Sequence, residues 1–205
     1  MEKKDAAPEG RMERKKKENR QKIVSVAMDL FKRQGFNNTT MEQIAEEADV
    51  ARKTLYNYFP VKEAIADEYV KCISERLADD NLATILDLPD TRSRLLTALN
   101  NTYAWVEDNP EITGICLGYR LKNMYQSSVN DGKETGTQSI MAEIIRLGQY
   151  TGEINPDLSV KQLVIYIDVL RGSMILDWLN DSSRIELRKE ITKLIDLFLY
   201  GASNR

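Results

Sequence analysis

A run of seven residues, 52–58, concentrates side chains that can hydrogen-bond to phosphates and to base edges. An asparagine can pair with an adenine edge, and an arginine or lysine can pair with guanine or with a phosphate. Apolar Leu55 within this run and Phe59 directly after it predict a short helix that keeps one side buried and turns the polar side outward. The candidate DNA-binding residues in this run are Arg52, Lys53, Thr54, Tyr56, Asn57 and Tyr58.

The residues before this run predict the partner helix that would hold it in place. Thr40 is the expected N-cap of a helix over residues 41–48, with Gln43 at the capping-box position three residues later. The segment 49–51 then forms a tight turn into the second short helix. Two short helices joined by a three-residue turn are typical of a helix-turn-helix, whose second helix enters the major groove of DNA.

Longer helices are predicted on both sides of this motif. Apolar residues recur at helical spacing from Ile23 to Phe31, and Gly35 ends that helix. Lys62 begins the helix that follows the motif. We therefore expect a flexible basic arm over residues 1–20, a DNA-binding domain over 21–68 and a second domain over 69–205. The basic run 14–17 in the arm is either a solvated tail or a DNA contact.

Charge and composition narrow the class of protein. Residues 1–62 carry 14 Lys and Arg against 10 Asp and Glu, whereas residues 63–205 carry 15 against 22. A basic head on an acidic body favours an anionic partner such as nucleic acid for the head. The chain has no histidine, and its two cysteines, Cys72 and Cys116, lie far apart. These counts argue against a Cys/His metal site, histidine-based catalysis and a disulfide framework, so we expect no catalytic residues, no metal and no cofactor.

The rest of the chain is predicted to be helical, because no strand-like alternation is sustained. The fold class is therefore all-α: a three-helix DNA-binding domain followed by a second helical domain. Asn-Pro pairs and polar turns separate the elements. The predicted helices of the second domain cover 91–108, 110–127, 135–150, 158–180 and 184–201.

The segment 40–65, TMEQIAEEADVARKTLYNYFPVKEAI, closely resembles the DNA-binding domain of the TetR (tetracycline repressor) family. The resemblance extends over about residues 20–70 and implies that Thr40, Tyr56 and Lys62 contact the DNA backbone. It implies that Arg52, Lys53, Thr54 and Asn57 occupy base-reading or neighbouring positions. Three residues depart from the family pattern. Asp49 replaces a glycine in a turn, where aspartate tolerates a left-handed conformation better than most residues. Ala51 replaces a serine N-cap, and Tyr58 replaces a histidine but can still donate to phosphate.

The resemblance also implies a second domain that dimerises and binds a small inducer. Independently, helix 158–180 is apolar nearly all round and helix 184–201 carries a wide apolar stripe, so both need partners. A four-helix contact between two subunits would supply them, and it would place two recognition helices on a palindromic operator in double-stranded DNA.

Large and polar side chains in the middle helices are candidates for an inducer pocket, although each can equally be part of the core. Asp168 and Arg171 lie inside an apolar helix at i, i+3 spacing, which allows a mutual ion pair. That pair is either structural, a dimer contact, or a means of orienting a polar ligand. The candidate ligand-binding residues are Trp105, Cys116, Tyr119, Arg120, Tyr125, Tyr166, Asp168 and Arg171.

The sequence thus favours a ligand-responsive transcriptional repressor that acts as a homodimer in the cytoplasm, without membrane contact and without enzymatic activity. The alternatives left open are an activator or co-regulator, or a protein-interaction module, with the same helix-turn-helix head.

Overall fold

The computed structural model describes residues 10–123, 135–183 and 185–201. Within these ranges the chain forms nine helices and no strand, which confirms the predicted all-α class. No helix in them is both long and apolar enough to cross a membrane. The helices are α1 (Arg11–Gln34), α2 (Met41–Glu47), α3 (Arg52–Tyr58), α4 (Lys62–Leu86), α5 (Thr91–Asp108), α6 (Pro110–Asn123), α7 (Gly136–Tyr150), α8 (Val160–Asn180) and α9 (Leu187–Tyr200).

The chain divides into two compact units, residues 1–69 and residues 70–205. The first contains α1 to α3 and the first turns of α4, and the second contains the rest of α4 and α5 to α9. In the first unit, the side chains of Ile23, Ile44, Leu55 and Ile65 are fully buried. Each of the four helices thus buries at least one apolar side chain in the first unit.

Helix α1 begins much earlier than its apolar pattern predicts. Residues 11–20, the part of the expected flexible arm that the sequence predicts to be disordered or loosely helical, form the first turns of α1, and residues 1–9 lie outside the described part. Residues 12–18 are exposed, so no buried face marks this stretch in the sequence. Strong helix formers and an i, i+4 pair between Arg14 and Glu18, 3.7 Å apart, account for the helix instead.

The local signals around α2 and α3 are confirmed. The Thr40 side chain accepts a hydrogen bond from the Gln43 backbone N–H, and the Gln43 side chain accepts one from the Thr40 backbone. Asp49 lies in the turn with φ +50°, the left-handed conformation expected there. Ala51 precedes α3 and provides no side-chain cap. Hence α2 is held by its own cap, whereas the start of α3 depends on packing.

In the second unit, α5 packs against α6, α7 and α9, while α8 packs against α6, α7 and α9. Leu95, Leu99 and Tyr103 of α5 are fully buried. The predicted end of α6 at 127 lies outside the described residues. Helix α9 begins at Leu187 rather than at 184, after Glu186, whose side chain makes no capping bond.

Helix α7 begins in close contact with α4. A Cβ atom on Gly136 would lie 2.2 Å from the backbone oxygen of Ser74, so only glycine fits there. The Gly136 N–H also donates to the Ser74 hydroxyl at 3.2 Å. This contact fixes the first turn of α7 directly on α4.

The conformation of Asp49 leads to a stability prediction. Asp49→Val should lower the free energy of opening of the first unit by about 1–2 kcal/mol, because a β-branched residue is strained at positive φ. Asp49→Gly should change it little, since the relief of strain and the added chain entropy are each about 1 kcal/mol. Hydrogen exchange of the peptides over residues 41–58 measures both. Equal losses in the two variants would contradict the backbone explanation.

Candidate DNA-recognition surface and ligand cavity

Helix α3 presents one buried side and one exposed side. Leu55 is fully buried, and Phe59, which directly follows the helix, is 1% exposed; together they fix the rotation of α3 against the core. We define the recognition surface as the four exposed side chains on the opposite side of α3: Arg52, Lys53, Tyr56 and Asn57. Thr54 and Tyr58 are half-buried at its edge. The surface combines two cations, an amide and a phenol on seven residues of helix.

The phenol of Tyr56 has a partner that the sequence did not indicate. Its hydroxyl donates to Oε1 of Glu42, in the first turn of α2, at 3.2 Å. Partial burial raises the pKa of Tyr56, and the neighbouring carboxylate of Glu42 raises it further. The phenol therefore keeps its proton and remains a donor. Fourteen residues separate this pair, so no short-range pattern marks it.

Lys62 is committed mainly to the protein itself. Its Nζ donates to the carbonyl of Phe36 at 2.7 Å and to that of Thr39 at 3.0 Å. The same ammonium lies 4.4 Å from the centre of the Phe36 ring, a cation–π contact. An ammonium has three donors, so one N–H is left over from these two bonds. The exposed hydroxyl of Thr40 lies directly after this bound segment.

Arg20 is a second anchor of the first unit, residues 1–69, which we call the head. Sequence reasoning missed this residue. Its guanidinium makes a bidentate pair with Glu68 of α4, at 2.7 and 2.9 Å, and lies 4.6 Å above the ring of Phe59. Phe59 ends the recognition helix, so this contact ties α1 and α4 to the end of α3. The partners are 39 and 48 residues from Arg20, which is why sequence spacing gave no signal.

The second unit contains a cavity with about 590 Å³ of empty space, including its opening to solvent. The lining side chains come from α4 to α8 and are mostly apolar, with several hydroxyls. Four of the predicted ligand residues are among them: Trp105, Cys116, Arg120 and Arg171.

The other predicted ligand residues do not line the cavity. Tyr166 is 58% exposed on α8 and does not contribute to the lining. Tyr119 is half-buried on α6 and is not part of the lining. Tyr125 lies outside the described residues. Asp168 is not part of the lining, but it forms an ion pair with Arg171, which is.

The predicted ion pair between Asp168 and Arg171 is confirmed. Nη2 of Arg171 lies 2.5 Å from Oδ1 of Asp168, and Gln138 donates to the other carboxylate oxygen at 3.0 Å. Burial opposes the charged form of Asp168, but Arg171 and Gln138 outweigh it and hold the pKa of this carboxyl below its usual value. Arg120 acts in the same direction, which places its charge near the pair. The cavity wall thus holds a fixed, ionised guanidinium.

Comparison with known proteins agrees with the helix-turn-helix of the first unit. Residues 23–69 match the family model described as bacterial regulatory proteins, tetR family. The HTH-type transcriptional regulator YdgC of Bacillus subtilis is 23% identical over 194 residues, which covers 93% of this chain and 95% of YdgC.

Two solved structures share the fold. FadR of Thermus thermophilus, a transcriptional repressor in complex with lauroyl-CoA, has a TM-score of 0.72 and 22% identity, covering 91% of this chain and 96% of FadR. FadR of Bacillus subtilis, in complex with stearoyl-CoA, has a TM-score of 0.61 and 16% identity, covering 89% and 99%.

The different environments of two lysines lead to a paired prediction. Lys62→Met keeps the aliphatic stem but removes two charged hydrogen bonds, so the free energy of opening of the first unit should fall by about 2 kcal/mol or more. Lys53→Met, on the exposed surface, should change it by less than about 0.5 kcal/mol and should weaken DNA binding. Hydrogen exchange gives the first quantity and gel shift the second. If the head of the Lys62→Met variant is as strongly protected from hydrogen exchange as that of the unsubstituted protein, the bracing role of Lys62 is contradicted.

Proposed function

We propose that this chain, which belongs to the TetR family of transcriptional regulators, is a ligand-responsive repressor that binds a palindromic operator as a homodimer. The recognition surface carries this proposal, because α3 offers two cations and an amide on a helix whose other side is locked into a core. A helix of this kind in a helix-turn-helix enters the major groove. The role is regulatory rather than catalytic.

In this proposal the contacts with DNA fall into two groups. Asn57 and Arg52 face base edges, while Lys53 and Thr54 bind bases or nearby phosphates. Thr40 and Tyr58 donate to phosphates, as does the remaining N–H of Lys62. Since Lys62 is already fixed by two carbonyls, its phosphate bond requires little further ordering. Tyr56 could donate to a phosphate only if its hydroxyl gave up the hydrogen bond to Glu42.

The homodimer is supported by an apolar face that the described chain leaves uncovered. Ile165, Tyr166, Val169 and Leu170 recur on one side of α8 and are 40–58% exposed. Leu197 and Tyr200 of α9 are 46% and 55% exposed. A contiguous apolar face of this kind marks a protein–protein interface. Pairing these helices with a second copy buries the face and supplies the twofold axis that a palindrome requires.

The operator proposal is tested by selecting genomic fragments on the purified protein. We expect a palindromic site whose half-sites lie about 34 Å or a multiple of it apart, with an affinity that falls steeply as salt rises. Val169→Glu should give a folded monomer with much weaker operator binding, whereas Leu121→Glu, at a comparably exposed residue of α6, should stay dimeric.

Light scattering and circular dichroism establish the oligomeric state and the folding of these variants. Sequence-independent association with the same salt dependence for all fragments would contradict operator recognition and favour a protein-interaction module. A Val169→Glu variant that remains dimeric would contradict the proposed interface.

The ligand that we propose is an amphiphile with an apolar chain and an acidic group. The chain fits the apolar lining, and the guanidinium groups of Arg120 and Arg171 favour an anion. The acyl-CoA molecules bound by the two FadR proteins belong to this class. Trp105 in the lining provides a fluorescent signal for binding.

Lauroyl-CoA is the probe for this prediction, with coenzyme A and laurate as its separate halves. We expect lauroyl-CoA to change tryptophan fluorescence and to release operator DNA at fixed salt. Arg120→Gln should weaken its binding about tenfold, the loss of one charge-assisted bond. Arg146→Gln is the control, because Arg146 is exposed and pairs with Glu143. Equal affinity in both variants, or no response to any of the three probes, would contradict the assignment.

A further inference from the structure

A carboxylate lies beside the basic recognition surface. Glu42 is the second residue of α2, and its Oε1 lies 3.2 Å from the Tyr56 hydroxyl on α3. A negative charge next to a surface that approaches phosphates weakens binding by repulsion.

The N-terminus of α2 does not depend on Glu42 for its cap. The capping box uses Thr40 and Gln43, which satisfy each other's backbone donors. An acidic residue in the first turn still gains from the helix dipole, by an amount typical of exposed sites. That gain would be available to a side chain in any orientation, whereas Glu42 is held toward α3 by the phenol.

We propose that Glu42 is a specificity-determining residue that accepts a hydrogen bond from the N4 amino group of a cytosine at the edge of the major groove, with Tyr56 as its positioning residue. The inference rests on the proposed operator binding. It assigns Tyr56 to Glu42 rather than to a phosphate, because the single phenolic proton serves one acceptor at a time.

Hydrogen-bond chemistry selects cytosine among the four bases. An ionised carboxylate only accepts, and the major groove offers donors only from the amino groups of cytosine and adenine. Beside the adenine amino group lies N7, an acceptor that would repel the second carboxylate oxygen. Guanine and thymine present acceptors at the corresponding positions. Glu42 therefore favours cytosine and disfavours the other three bases.

The test compares the base preferences of three chains: the unsubstituted chain, Glu42→Gln and Glu46→Gln. Each selects sites from a random DNA library at the same salt concentration. Glu46 is the matched control, because it is exposed on the same helix, carries the same charge and lies one turn further along α2. Both substitutions remove one negative charge, so both should raise the sequence-independent part of DNA affinity by a similar factor.

We expect the unsubstituted chain to prefer cytosine at one symmetry-related pair of positions. Glu42→Gln should reduce that preference about five- to tenfold or shift it to adenine, which an amide pairs with on two atoms. Glu46→Gln should retain it. Tyr56→Phe, which keeps the ring and removes only the hydroxyl, should reduce the same preference because the carboxylate is no longer held.

Two results separate failure of this inference from failure of the proposed function. If the unsubstituted chain selects a palindrome and Glu42→Gln selects the same bases with the same strength, the cytosine contact is overturned while operator binding stands. If the unsubstituted chain selects no site, operator binding itself fails.

Discussion

The head of this protein depends on one part-buried interaction, in which the ammonium of Lys62 donates to the carbonyls of Phe36 and Thr39. These carbonyls belong to the segment between α1 and α2, and Lys62 is the first residue of α4. One charged group therefore fixes the exit of α1, the start of α2 and the start of α4 together. Because hydrogen bonds to a charged group are stronger than neutral ones, this junction resists bending, and α3 is held between elements that cannot shift independently.

Helix α4 gives this junction its functional importance. It begins at Lys62, and further along, Val70, Ile73 and Leu77 line the ligand cavity. Ser74, between them, is in close contact with Gly136 at the start of α7. The first turn of α7 contributes Gln138, which binds Asp168, the partner of Arg171 in the cavity wall. A ligand that moved Arg171 would thus disturb groups that pack directly on α4 within the second unit, and a ligand that binds two states of a protein with different affinity shifts the balance between them.

The contacts that could be predicted from the sequence are those set by local chain geometry. The Thr40–Gln43 capping box and the Asp168–Arg171 pair each join residues three positions apart, so local helix geometry determines that they are in contact. The left-handed conformation of Asp49 is a property of a single residue in a short turn. The Arg20–Glu68 pair and the Tyr56–Glu42 bond could not be predicted, because they join different helices and depend on how those helices pack. The helical stretch 11–20 was missed for another reason. Periodicity detects a buried face, and this stretch has none.

The two exposed faces of the chain are best understood together. Helix α3 has only seven residues and begins at Ala51 without a side-chain cap, so each head offers a short and modestly anchored recognition element. A twofold dimer adds the contact free energies of two such heads after a single loss of translational and rotational freedom. The apolar faces of α8 and α9 can therefore provide what the head alone lacks. In this arrangement the phosphate-binding groups, such as Thr40 and Lys62, supply affinity that is independent of sequence. Groups such as Asn57 and Glu42 then have a selective role, since a mismatched base pair in each half-site is penalised twice.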